Sequence, residues 1–222
     1  MTISLRSGDT VVFAGDSITD CRRRVSEDGL GFGYPSRVAG EWGLRHPDRD
    51  VTWVNTGVSG NRVAELEARW QADVLDLRPD VVSLLVGVND TALPTLDPRV
   101  RPVSTSEFAE GYDRLLAPLA AAGTALILVE PFLLPVGGVI EAGEGVLVDE
   151  AARVRWRADL DPRIRVVREL ARRYDARLVE ADRLFAGLVA RTGDPGHWAA
   201  DGVHPTSAGH AALTAAWLEQ VA

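Results

Sequence analysis

Four short blocks of this chain hold side chains whose types and spacing could do chemistry. The first is Gly15-Asp16-Ser17, which follows the apolar run Val11-Val12-Phe13-Ala14. A serine directly after a strand is often an N-cap or turn residue. On the rigid end of a parallel strand, though, its hydroxyl is exposed where α/β sheets bind ligands. The second block is Asn55-Thr56-Gly57-Val58-Ser59-Gly60-Asn61. It reads as a glycine-rich turn before a helix, and Gly60, lacking a Cβ, lets its backbone N–H approach a bound atom. The third is Gly87-Val88-Asn89-Asp90, an Asn/Asp turn whose Asn89 amide can donate into the same crevice.

The fourth block, Asp201-Gly202-Val203-His204-Pro205, joins a carboxylate to an imidazole three residues later. Pro205 keeps His204 out of helical geometry. In a short loop Asp201 can accept the Nδ1–H of His204, which fixes the tautomer and turns Nε2 toward Ser17. That is the logic of a serine, histidine and aspartate triad.

The elements between these blocks must bring them together. Thr10 to Ala14 reads as a buried strand, and 21–33 as a long loop. A helix opens at Pro35 and runs to about Arg45. Asp50 to Asn55 is a second strand. Val63, Leu66, Trp70, Val74 and Leu77 mark an amphipathic helix over about 62–77. Val81 to Val86 is the most apolar strand and is placed centrally. With Pro94, Pro98 and Pro102, the segment 89–103 reads as loop, and Ser104 to Glu107 offers caps for a helix to about Ala122. Ala125 to Glu130 is the fourth strand, followed by an irregular Pro131 to Gly145 segment. A helix over about 149–174, interrupted near Pro162, leads to a fifth strand at Arg177 to Glu180. Helix 182–192, a loop from Gly193 to Pro205, and a last helix from Thr206 to Val221 complete the chain. Alternating strands and helices call for a parallel sheet covered on both faces. No linker divides residues 1–222, which are read as a single domain.

Composition narrows the function. The net charge of −8 argues against nucleic acid as a partner, since phosphate binding needs a basic surface. All 24 basic residues are arginine, which reads as coding bias. Cys21 is the one cysteine, so neither an intramolecular disulfide nor a multi-cysteine zinc site can form. No apolar run approaches the ~18 residues of a membrane span. The start lacks a basic region followed by an apolar one, and with the free thiol this favours the cytoplasm. Neither GxGxxG after a strand nor GxxxxGK[ST] occurs, which removes the dinucleotide and P-loop readings.

Together, GDSITD at Ser17, VSGN at Gly60, GVND at Asn89 and DGVHP at Asp201 and His204 resemble the SGNH (GDSL-type) hydrolases. The likeness runs from the first strand to the last helix. The strings GDSITDCRRR, GVSGNRVAELEARWQADV and WAADGVHPTSAGH are similar to the bacterial acetylxylan esterases within that family. The Pro131 to Gly145 segment matches them least and is assigned acceptor specificity. The resemblance implies a flavodoxin-like three-layer α/β/α sandwich with five parallel strands in the order 2-1-3-4-5. It also implies a mechanism consistent with the residues. Ser17 Oγ attacks an ester carbonyl with His204 as general base. The Ser17 and Gly60 N–H groups and the Asn89 amide bind the oxyanion. No metal or organic cofactor is required. The implied partner is a small-molecule or oligosaccharide ester, with acetylated xylo-oligosaccharide fragments foremost, no membrane, and room for a homo-oligomer.

Other residues have plainer readings. Asp16 and Asp20 read as turn supports, with contact to substrate as a second reading for Asp16. Trp198, six residues before His204, either stacks on a sugar ring or packs. Trp42, Trp70 and Trp217 fall on apolar helix faces, His210 reads as structural, and Arg22-Arg23-Arg24 as a solvated run. The competing functions are a lysophospholipase or thioesterase, a carbohydrate-binding protein without turnover, and a metal-dependent phosphoester hydrolase using Asp16, Asp20, Asp201 and His204.

Overall fold

Gly15 pairs with Leu85, and Leu85 with Val129, so three neighbouring strands end at the same level and release their loops on one edge. The computed structural model describes residues 2–97, 99–141 and 147–222. In chain order it contains β1 (Thr10–Gly15), α1 (Ser17–Asp20), α2 (Tyr34–Arg45), β2 (Thr52–Asn55), α3 (Val63–Asp73), β3 (Val81–Leu85), α4 (Val88–Leu96) and α5 (Thr105–Ala122). Then come β4 (Ala125–Val129), β5 (Ile140–Glu141), β6 (Leu147–Val148), α6 (Glu150–Arg173), β7 (Arg177–Val179), α7 (Ala181–Thr192) and α8 (Ser207–Leu218). Among the described residues one sheet has five strands, all parallel, in the order β2-β1-β3-β4-β7. With β7 counted as the fifth strand this is the expected 2-1-3-4-5 order, and β3 is central.

The strand pleat sends alternate residues to opposite faces. Val11, Phe13, Leu85 and Val129 face a core built with Tyr34, Val38 and Trp42 of α2, Phe185 of α7, and Leu213 and Trp217 of α8. Val12, Ala14, Val82, Leu84 and Leu128 face Leu66 and Trp70 of α3, Phe108, Tyr112 and Leu116 of α5, and Val167 of α6. The result is the three-layer sandwich. Because β2 and β3 lie on either side of β1, the strand order reverses between β1 and β3, the switch point above which open α/β sheets bind ligands.

Several boundaries differ from the sequence reading. Val88–Leu96 forms α4, taking in the first part of the 89–103 segment read as loop, with Pro94 inside it and Val88, Thr91 and Ala92 buried. Burial of that face overrides the weak helix propensity. Pro162 does not interrupt α6, which runs unbroken from Glu150 to Arg173. The third helix ends earlier than expected, at Asp73, and a separate 3-10 turn covers Leu75–Leu77. The 21–33 loop contains a short 3-10 turn at Arg23–Val25. In the irregular segment after β4, Ile140–Glu141 pairs antiparallel with Leu147–Val148, while 142–146, like Pro98, lies outside the described residues. The Ser104–Glu107 cap is as read: Ser104 Oγ accepts the Glu107 N–H at 3.2 Å, and Glu107 Oε2 accepts the Ser104 N–H at 2.9 Å.

Candidate active site

The turn after β1 is made by close backbone approach. A Cβ on Gly15 would run into the Leu85 carbonyl and the Thr19 hydroxyl. Asp16 then caps α1, its Oδ1 accepting the Ile18 N–H at 3.0 Å. Ser17 is therefore the first residue of a one-turn helix at the carboxyl end of β1, half-buried, with its side chain turned to the crevice edge where the last loop arrives.

That loop brings the imidazole. Ser17 Oγ and His204 Nε2 are 2.8 Å apart, and His204 Nδ1 is 2.6 Å from Asp201 Oδ2. A carboxylate only accepts, so the proton sits on Nδ1 and the neutral ring takes the Ser17 hydroxyl proton at Nε2. The other Asp201 oxygen accepts the backbone N–H groups of Val203 (2.9 Å) and His204 (2.7 Å), which fixes the carboxylate plane. The hydrogen bond to Asp201 raises the His204 pKa above 6.5, against the opposing effect of burial and with help from the Asp201 and Asp16 charges. Burial works to raise the Asp201 carboxyl, but the bonds and charge of His204 outweigh it and hold Asp201 below its ordinary value. A serine hydroxyl, a base and an orienting carboxylate in this arrangement can generate a nucleophile.

The three donors expected for an oxyanion are the Ser17 and Gly60 backbone N–H groups and the Asn89 amide. Among the described residues, neither the Ser17 nor the Gly60 backbone N–H is given to a protein acceptor. Gly60 has φ +81°, yet a Cβ there would meet nothing within 4 Å. The glycine is thus needed for its left-handed backbone, which aims the N–H, rather than for steric room. Asn89 lies in the first turn of α4 and donates one amide hydrogen to the Asn61 carbonyl at 3.1 Å, leaving the second. Donors set in this way can receive the negative charge of a tetrahedral intermediate.

Two residues with substrate contact as one of their readings have protein partners in the structure. Asp16 is 1% exposed and serves as the α1 cap, beneath the surface a substrate would touch; burial raises its carboxyl to about 7, against the Ile18 N–H and the His204 charge. Trp198 packs edge-on against His197 and donates its indole N–H to Thr192 at the end of α7 (3.2 Å), so packing is the reading its geometry supports. Asp20 accepts the Ser59 N–H and hydroxyl at 3.0 and 2.9 Å. Arg23, read as solvated, donates Nε to the Gly57 carbonyl at 2.6 Å. The carboxylates of a metal-site reading thus turn to different partners, and no three potential ligands converge among the described residues. His210 is buried beside Cys21, and burial lowers it to about 4. Burial also raises the Cys21 thiol, so this pair is neutral near pH 7. Trp42, Trp70 and Trp217 are all core residues.

The sequence reading passed over Asn55 and Arg69. Asn55 donates to the Thr19 and Leu30 carbonyls (both 2.7 Å) and accepts the Gly57 N–H, tying the loop after β2 to the turn that carries Ser17. Arg69 sits on α3 between the apolar positions Leu66 and Trp70. An Arg–Asp pair at i, i+4 (Arg69 and Asp73) on the apolar side of the helix that follows a glycine-rich loop was the available signal.

Residues 13–212 match the family model described as the GDSL-like lipase/acylhydrolase family. The chain belongs to that family. It is a carboxylic ester hydrolase with the SGNH fold. An acetylxylan esterase of Geobacillus stearothermophilus is 32% identical to it over 228 residues, covering 99% of this chain and 96% of the relative. The crystal structure of Axe2, an acetylxylan esterase from the same organism, superposes with a TM-score of 0.81 at 31% identity, covering 98% of this hydrolase and 96% of Axe2. A substituted form described as an acetyl-xylooligosaccharide esterase gives 0.82 with the same coverage. Three further Axe2 structures are described as catalytic mutants; they carry alanine in place of a serine, an aspartate and a histidine, the last two three residues apart.

Proposed function

We propose that this hydrolase removes acetyl groups from carbohydrate, with acetylated xylo-oligosaccharides as the substrate class, through an acyl-enzyme on Ser17. The observation that carries the reading is the hydrogen-bonded series from Ser17 Oγ through His204 to Asp201. His204 removes the Ser17 proton as Oγ attacks the ester carbonyl, and Asp201 stabilises the imidazolium. The oxyanion is held by the Ser17 and Gly60 N–H groups and the Asn89 amide. His204 then protonates the departing sugar hydroxyl, and water, activated by the same base, releases acetate. Axe2 supports the acetyl assignment, and its catalytic mutants have the residue types of Ser17, Asp201 and His204 and the same three-residue spacing of aspartate and histidine.

Hydrolysis of nitrophenyl acetate, butyrate and octanoate, with and without EDTA, tests the chemistry. Wild type is expected to prefer acetate and to be indifferent to EDTA, and Ser17→Ala to be inactive. An active Ser17→Ala enzyme that EDTA inhibits would sink the serine mechanism. A preference for octanoate would favour lipid or thioester substrates. Acetate release from acetylated xylo-oligosaccharides, compared with other acetylated sugars, then tests the acceptor.

A further inference from the structure

The Arg69 guanidinium touches three pieces of chain that the proposed reaction needs in register. Nε donates to Asn61 Oδ1 at 2.8 Å, and one terminal nitrogen donates to the Thr56 carbonyl at 2.7 Å. The other terminal nitrogen faces the Gly15 carbonyl at 3.4 Å. Asp73, one turn along α3, anchors the group at 2.6 Å. Thr56 and Asn61 bracket the segment that carries Gly60, and Gly15 is two residues before Ser17. The contact reaches Asn89 as well, because the Asn61 carbonyl accepts the Asn89 amide.

The segment around Gly60 has few atoms to pack against. Ser59 and Gly60 are exposed, and Gly60 is left-handed. Apolar burial therefore cannot set the direction of its N–H, and polar anchors must. On its outer side the segment is held by Asp20 through Ser59 and by Arg23 through Gly57. Arg69 differs from these two in linking the segment to the end of β1 and, through Asn61, to α4. A planar fork with donors in fixed directions can serve three acceptors at once, whereas a lysine ammonium is a compact charge on a flexible stem.

We propose that Arg69 is a positioning residue, holding the N–H groups of Ser17 and Gly60 and the amide of Asn89 in one geometry. This rests on the serine-hydrolase reading above. Arg69 itself touches no reacting atom. Its contribution is to the transition state, where a misplacement of about 1 Å costs on the order of 10²-fold in rate.

Arg69→Lys is the deciding variant, since it keeps the charge and the neighbouring Asp73 while losing the fork. With nitrophenyl acetate, kcat is expected to fall about 10- to 100-fold with KM nearly unchanged. The acid limb of the pH profile should stay in place, and the urea midpoint should remain close to wild type. Arg69→Ala should fall further and recover in part when guanidinium ion is added at millimolar levels. Combined with Asn89→Ala, Arg69→Lys should cost less than the product of the two single losses. A folded Arg69→Lys enzyme with wild-type kcat, or one that loses only KM, overturns the proposal. Labelling of wild type with a fluorophosphonate separates this from failure of the mechanism. Absence of adduct on Ser17 removes the serine reading itself, whereas an adduct with unaffected Arg69 variants removes only the positioning role.

Discussion

His204 Nε2 stands 2.8 Å from Ser17 Oγ across 187 residues of chain, while Asp201, its partner on the other ring nitrogen, is three residues away. The local contact sets the tautomer, and the long-range one is the contact on which the proposed reaction depends. The proposed mechanism requires the neutral ring, and the hydrogen bond to Asp201 raises the His204 pKa. The acid limb of kcat/KM, which reports the free enzyme, is therefore expected above pH 6.5. Asp201→Asn removes the largest cause of that shift. Its limb should move down, and its kcat should fall by as much as about 10⁴-fold, as when a triad histidine loses its orienting carboxylate. A pH profile of both enzymes measures this, and an unmoved limb would contradict it.

Asn89 offers a cleaner separation of binding from chemistry. One amide hydrogen is committed to the Asn61 carbonyl, and the other is assigned to the oxyanion. Asn89→Ala should lower kcat by about 10²–10³ with little change in KM. Steady-state kinetics on nitrophenyl acetate decide it. An increase in KM alone would assign Asn89 to ground-state binding.

Gly202 links the loop of Asp201 and His204 to the segment after β4. Its carbonyl accepts the Leu134 N–H at 2.8 Å, and at φ +82° an added Cβ would come within 2.8 Å of the Leu134 carbonyl. The obstacle is backbone, which cannot rotate away. Gly202→Ala should lose about 2 kcal/mol or more of stability, counting left-handed strain and the contact together. It should also reduce kcat by moving Asp201. Urea unfolding alongside kinetics tests both parts.

Asp16 makes the stability depend on pH. Burial raises its carboxyl from 3.8 to about 7, and that of Asp90 likewise. Since the folded-state values lie above the unfolded ones, the folded state binds these protons more tightly. Their contribution is full below about pH 4 and is lost as pH rises to about 7, on the order of a few kcal/mol for each group. Asp16→Asn keeps an N-cap side chain at α1 and removes the ionisation. Its urea midpoint should fall less between pH 4 and 7 than that of wild type. Parallel curves would show that Asp16 does not titrate in this range.

What the sequence determined by itself was local. The alternating elements, the apolar central strand and the four blocks could be read because strand pleat, helix periodicity and turn chemistry act over a few residues. Asp201 and His204 could be paired for the same reason. The tertiary structure decided what depends on contacts distant in sequence. It made 88–96 a helix despite Pro94, by burying one face. It put Asp16 under the surface as a cap and turned Trp198 toward Thr192. It also placed Arg69 among the Gly15 and Thr56 carbonyls and the Asn61 side chain. A side chain's partners across the crevice are chosen by the register of β1 against β2 and β3, which leaves no local signature at Arg69 itself.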